Sequence, residues 1–226
     1  MQYDYITDGS SIYDRSFAII RAEAHLDRLP DDLAPVAARM VHATGQPDIV
    51  DDLGWSDGLV TAARAALLAG APVLCDSTMV ATGITRSRLP RENQVVCLLQ
   101  EPATVRRATE KGITKTMAAV ELWAERPLMA SRHLLDGAVV AIGNAPTALF
   151  RLLEVVRETG VRPAAVVGCP VGFVGAAESK QALAGNDLGL DYLTLHGRRG
   201  GSAVTVAAVN ALASCDERGN RSMLRL

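Results

Sequence analysis

Three glycine-rich loops in the second half of the chain each follow a short apolar run. GNAPTALF (143–150) follows Val139-Val140-Ala141-Ile142, GCPVGFVGAAESK (168–180) follows Ala164-Ala165-Val166-Val167, and GRRGGSA (197–203) follows Tyr192-Leu193-Thr194-Leu195. A buried strand, then glycines, then a small-residue helix is how an open parallel sheet builds a ligand crevice at its carboxyl edge. Glycine lets the backbone turn sharply there and lets a ligand approach the main chain. Three such units together imply a large ligand along one sheet edge.

The rest of the chain extends this pattern. Pro72–Cys75 and Val95–Leu99 read as two more strands, giving about five. Helices are expected between them over Thr104–Lys111 and Thr114–Glu125, and after the glycine loops over Thr147–Glu158, Gly175–Ala184 and Gly200–Ala213. Strands alternating with helices predict an α/β fold with a mainly parallel, doubly wound sheet covered on both faces. The N-terminal third reads as helical. Ser10 or Ser11 can cap a helix over Ile12–Ala24, Gly45 stops a second over Asp31–Thr44, and a third runs from Ser56 to Gly70. Arg126–Asp136 reads as a polar connector. No low-complexity linker interrupts the chain, so residues 1–213 are expected to form one domain, followed by a polar, frayed tail over 214–226.

Composition narrows the function. Hydrophobic residues make up 49% of the chain but aromatics only 4%, so the core is Ala, Val and Leu. A net charge of −2 lacks the basic stripe that nucleic-acid binding requires. The four cysteines, Cys75, Cys97, Cys169 and Cys215, have no metal-ligand spacing and read as reduced thiols. The polar N-terminus is not expected to act as a signal peptide, and no apolar run reaches membrane-spanning length. A soluble, cytoplasmic protein is expected.

Four histidines could serve as a general acid or base near neutral pH. His25 and His133 lie among polar residues and read as surface groups, and His196 follows a strand beside Gly197-Arg198. His42 is the better candidate, because Arg39 stands one helical turn before it, on a flank beside the core stripe. Spacing alone nevertheless favours an amphipathic helix whose half-buried histidine is satisfied by backbone. The loops fit no phosphate pattern either: GxxxxGK[ST] is absent, as is a GxGxxG after the first strand with an acid about 20 residues on. The arginines of Gly197–Ser202 can still attract an anion.

Taken together, RMVHATG (39–45), IYDRSFAIIRAEA (12–24), AGAPVLCDSTMVATGITRSRL (69–89), AIGNAPTAL (141–149), PVGFVGAAESK (170–180) and GRRGGSAVTVAAVNALA (197–213) closely resemble the precorrin-8X methylmutase family of cobalamin biosynthesis. The resemblance runs from about Tyr3 to Ala213. It implies a three-layer α/β/α sandwich, a homodimer with the site near the subunit interface, and no separate cofactor. It also implies a corrinoid substrate, one of whose methyl groups moves to the adjacent ring carbon, giving hydrogenobyrinate or, with cobalt, cobyrinate. The family's catalytic histidine matches His42, and its substrate-contacting serine and arginine match Ser16 and Arg39. Thr85 and Arg86 stand at a strand–loop edge where they can touch substrate. Lys115 occupies a position where metal-free relatives are expected to carry arginine, so charge is kept but the bidentate fork is lost.

Two other classes stay open on the residues alone. One is an S-adenosylmethionine- or nucleotide-dependent transferase, for which Gln100-Glu101 is the only ribose-binding candidate. The other is a non-catalytic corrinoid carrier.

Overall fold

Val139–Ile142 and Ala165–Gly168 are buried on both faces, which only the centre of a parallel sheet permits. In the computed structural model, which describes residues 3–129 and 132–214, they are the middle of a six-stranded sheet. The strands are β1 (Leu53–Trp55), β2 (Val73–Cys75), β3 (Val95–Val96), β6 (Val139–Ile142), β7 (Ala165–Gly168) and β8 (Tyr192–Leu195), in the order β1-β8-β7-β6-β2-β3. All neighbours run parallel except β1, which pairs antiparallel with β8. A separate two-stranded hairpin, β4 (Pro127–Met129) with β5 (Arg132–His133), occupies the connector and carries His133.

Alternate side chains of each strand feed two cores. Val73, Cys75, Val139, Ala141 and Val167 pack with α1 (Gly9–Glu23), α2 (Ala34–Thr44), α3 (Leu59–Leu68), α4 (Thr78–Gly83) and α9 (Ser202–Ala213). Leu74, Val140, Ile142 and Val166 pack with α6 (Lys115–Glu125), α7 (Pro146–Thr159) and α8 (Ala176–Ala184), and α5 (Pro102–Lys111) lies against α6. The result is the expected three-layer α/β/α sandwich. Helix α2 is buried almost continuously from Val36 to Val41, because α9 packs on one side of it and α1 on the other.

The structure corrects the sequence reading in three places. The sixth strand, β1, is three residues long and follows a 3-10 turn over Pro47–Asp52, so no apolar run announces it. Gly54 within it lies under the His196 ring: a Cβ there would stand 2.5 Å from His196 Nε2, so the histidine would have to shift. Strand β3 is shorter than expected, since Cys97–Leu99 leave the sheet. Asp8, rather than Ser10 or Ser11, caps α1, accepting the Ser11 N–H at 2.7 Å. The cysteines behave as ordinary thiols where described: Cys75 and Cys169 are buried and Cys97 half-buried, all unpaired. Burial pushes the Cys169 thiol up to about 12, so it stays protonated at neutral pH. Cys215 and the 215–226 tail lie outside the described residues.

Candidate active site

Helix α1 presents Tyr13, Ser16, Phe17 and Ile20 along one face, at the i, i+3, i+4, i+7 spacing of a buried stripe. That stripe lies on α2, which supplies Arg39 and His42 one turn apart. Pro35 starts α2, and Gly45 ends it in the left-handed conformation, its N–H bonded to the Val41 carbonyl. Gly45 fixes where the chain turns away and leaves His42 in the last turn.

Ser16 Oγ stands 3.0 Å from His42 Nδ1. The imidazole stacks on Phe17, centroids 5.0 Å apart and planes 21° apart, with Tyr13 tilted against it at 5.3 Å. Aromatic contact thus covers part of the ring, while the residue as a whole remains exposed. Partial burial, and secondarily the Arg39 charge, hold the His42 pKa below 6.5. A depressed pKa makes the imidazolium a stronger acid and leaves the ring neutral in the free protein at pH 7. Because Ser16 occupies Nδ1, Nε2 is the nitrogen left to meet a ligand.

Arg39 is only 9% exposed and donates to the Tyr13 hydroxyl. Its guanidinium lies 5.2 Å from the Tyr13 centroid and 5.0 Å from that of Phe17. Burial, then the Arg88 charge, lower its pKa. Arg88 belongs to a 3-10 turn, Arg86–Arg88, that also carries two of the expected site residues. Thr85 and Arg86 are exposed on this turn, and the Thr85 N–H donates to Asn210 Oδ1 of α9 at 2.9 Å. Helix α9 therefore holds the arginine turn on one side and α2 on the other. Ser16, Arg39 and His42 form one contact group, with the Thr85–Arg88 turn at its edge. Lys115 is not placed beside it: this exposed residue begins α6, in the opposite helical layer.

Sequence reading missed Asp76. The sheet reverses direction between β2 and β6, which is where open α/β sheets receive a ligand. Asp76, 1% exposed, follows β2 and accepts three N–H bonds from the loop after β6: Gly143 at 3.1 Å, Asn144 at 2.8 Å and Ala145 at 2.7 Å. Burial raises its pKa and the three amides oppose that rise. These are the amides with which a nucleotide-binding protein would cradle phosphate. Here the chain's own carboxylate occupies them, a physical reason for the missing phosphate pattern. An acid directly after a strand, in Leu74-Cys75-Asp76-Ser77, was the available signal.

The two remaining glycine loops are laced to each other. The Gly201 N–H donates to the Cys169 carbonyl, and Thr194 Oγ1 donates to the Gly168 carbonyl. The buried Lys180 ammonium donates to the Arg199 carbonyl at 2.5 Å. Gly200 has φ near +151°, and a Cβ on it would lie 2.3 Å from the Cys169 carbonyl oxygen, so no larger residue fits. Arg199 pairs with Asp48 at 2.6 Å, tying this edge to the segment after α2. Among the other histidines, His25 is exposed 3.4 Å from Asp51, and half-buried His196 packs on β1. Among the described residues, no group of three or more His, Cys, Asp or Glu could hold a metal ion.

Fold and site define a three-layer α/β/α protein whose switch point is filled by its own carboxylate and whose helical flank carries an arginine–histidine pair. Residues 11–215 match the family model described as precorrin-8X methylmutase. The chain is 55% identical over 212 residues to the precorrin-8X methylmutase of Sinorhizobium sp, covering 94% of this chain and 97% of that one. It is 38% identical over 178 residues to the cobalt-precorrin-8 methylmutase of Salmonella typhimurium, covering 78% and 79%. A crystal structure of precorrin-8X methylmutase from Thermus thermophilus superposes with a TM-score of 0.81 at 39% identity, covering 92% of this chain and all of that one. The chain belongs to the precorrin-8X methylmutase family, isomerases of cobalamin biosynthesis.

Proposed function

We propose that this methylmutase acts on metal-free precorrin-8X, moving one methyl group to the adjacent ring carbon to give hydrogenobyrinate, with His42 as general acid and base. The higher identity to the relative named for precorrin-8X than to the one named for the cobalt compound supports the metal-free substrate. The 3.0 Å Ser16–His42 contact carries the assignment of His42, because it fixes the ring and leaves Nε2 for the reaction. In the imidazolium, Nδ1–H donates to Ser16 and Nε2–H donates to a ring nitrogen of the substrate.

Protonating that nitrogen draws electron density from the conjugated ring. The bond from the methyl group to its original carbon then breaks as the bond to the neighbouring carbon forms. The proton returns to Nε2, so the reaction is an isomerisation that needs no further reactant. A negatively charged substrate beside His42 raises its pKa on binding and supplies the imidazolium when it is needed. Arg39, Thr85 and Arg86 hold substrate carboxylates and hydrogen-bond acceptors, and Lys115 offers a further cation from the α6 side.

Residues 1–213 work as one domain, and the protein acts as a cytoplasmic homodimer. Exposed Ile12 and Ile19 on α1, with Tyr3 and Tyr5 before it, give the site-bearing helix an apolar outer surface suited to a second copy. Among the described residues, no helix is long and apolar enough to cross a membrane.

The deciding experiment incubates purified protein with precorrin-8X without S-adenosylmethionine. Wild type is expected to develop the hydrogenobyrinate spectrum, and His42→Ala to lose about 10²- to 10⁴-fold in rate. Colour retained without conversion by wild type would instead make the protein a carrier. Near-normal turnover by a folded His42→Ala variant would remove His42 from the chemistry. Light scattering at micromolar concentration tests the dimer, and a mass of one chain would contradict it.

A further inference from the structure

Phe173 and Val174 are the most exposed large apolar side chains among the described residues, at 84% and 90%. They stand at the carboxyl edge of the sheet, in the loop that joins β7 to α8. Val171 before them is also exposed. Over the Phe173 ring lies the Arg198 guanidinium, 5.3 Å from the centroid, brought there by the loop after β8. The neighbouring Arg199 turns instead to Asp48 and Asp52, at 2.6 and 3.6 Å. Two consecutive arginines thus divide between internal ion pairs and an exposed aromatic ring.

The two loops are fastened beneath these side chains. The Gly172 N–H donates to the Arg198 carbonyl at 3.3 Å, and the Gly201 N–H to the Cys169 carbonyl at 2.8 Å. The buried Lys180 ammonium of α8 fixes the Arg199 carbonyl at 2.5 Å. Gly172 and Gly175, both at positive φ, bracket Phe173 and Val174 and make the bends that expose them. Groups held in place before a ligand arrives lose little freedom on binding it. A fixed aromatic face beside a planar guanidinium suits a flat, apolar ligand with an anionic fringe. The ring takes the flat face, and the in-plane N–H groups take a carboxylate. The Arg199–Asp48 pair also brings this edge to the chain that leaves α2. Asp48 stands six residues after His42, at most about 20 Å of backbone away, so one large ligand can span both.

We propose that Phe173 and Arg198 form a substrate-binding lip, Phe173 lying against the face of the macrocycle and Arg198 holding one of its carboxylates. This rests on the corrinoid reading above and extends the binding surface from the helical layer to the edge of the sheet. Charge favours this occupant over a second copy of the chain. The outer face of α1 offers a copy plain apolar surface, whereas a ring with a guanidinium over it answers to an anion.

The test compares wild type with Phe173→Ala, Phe173→Tyr, Arg198→Gln and Arg198→Lys. Each is titrated with hydrogenobyrinate and with its fully esterified form, and sized by light scattering. Phe173→Ala is expected to weaken acid and ester alike, about 5- to 10-fold, while Phe173→Tyr keeps the flat face and the affinity. Arg198→Gln is expected to weaken the acid about 10-fold and the ester less than about twofold, with Arg198→Lys recovering part of the loss. Unfolding midpoints should match wild type, because both side chains are exposed. The proposal is overturned by less than about a twofold change for the acid in Phe173→Ala or Arg198→Gln, or by an Arg198→Gln loss that the ester shares. It is equally overturned by variants that unfold early or depart from the wild-type mass, the latter marking a contact between copies. Wild type that binds hydrogenobyrinate without converting precorrin-8X would sink the isomerase reading and leave this comparison in force. Wild type that binds neither form would overturn the lip as well.

Discussion

Glu121 and Arg39 lie in the two helical layers at similar depth, 7% and 9% exposed, yet their surroundings differ. Around Glu121 the chain closes its own circuit. Lys111 at 2.7 Å, Arg151 at 3.1 Å and Arg107 at 3.5 Å surround one carboxylate, and Glu125, Glu154 and Glu158 take the remaining donors of the two arginines. Arg39 instead donates to the Tyr13 hydroxyl and lies over two aromatic rings, beside a histidine with a lowered pKa. A charge neutralised internally serves the fold. Asp76 shows the same strategy at the sheet's own crevice, where it consumes the amides that would otherwise attract phosphate.

The contrast can be broken from either side. The largest effect belongs to His42→Ala, whose loss of about 10²- to 10⁴-fold corresponds to roughly 3–5 kcal/mol of barrier with no loss of folding. Next comes Asp76→Ala, which strands three N–H groups, two of them buried, and should cost about 3 kcal/mol in urea unfolding. If Asp76→Ala unfolds like wild type, the carboxylate does not hold the switch point. Glu121→Gln sharpens the comparison most cleanly. It should cost about 2 kcal/mol of stability, because buried pairing is lost while Glu125, Glu154 and Glu158 still serve the arginines. Its KM for precorrin-8X should not move. A raised KM would mean that the Glu121 cluster shapes the site as well as the fold.

The sequence revealed the three strand–loop–helix units because their strands are continuous apolar runs with glycine stops. It concealed β1 because Leu53-Gly54-Trp55 is too short for periodicity to register, and its pairing with β8 depends on residues far along the chain. Spacing placed Arg39 and His42 on one flank, but it could not show that Ser16, 26 residues earlier, fixes the imidazole. That contact comes from packing one helix on another, and only the family resemblance pointed to Ser16. Tyr13 and Phe17 went unnoticed as site residues because they look like ordinary core positions of α1. Asp76 was overlooked because an acid after a strand reads as a loop residue until its three amide partners are seen.

The most direct test of His42 as the acid is the pH dependence of kcat/KM for precorrin-8X, set beside an NMR titration of the His42 ring in the free protein. Its pKa lies below 6.5, so the imidazolium is present on the acid side and is lost as pH rises through that value. The expected result is a kcat/KM that falls with rising pH, with a midpoint matching the His42 titration below 6.5. A rate that stays level while the His42 signal titrates would contradict it.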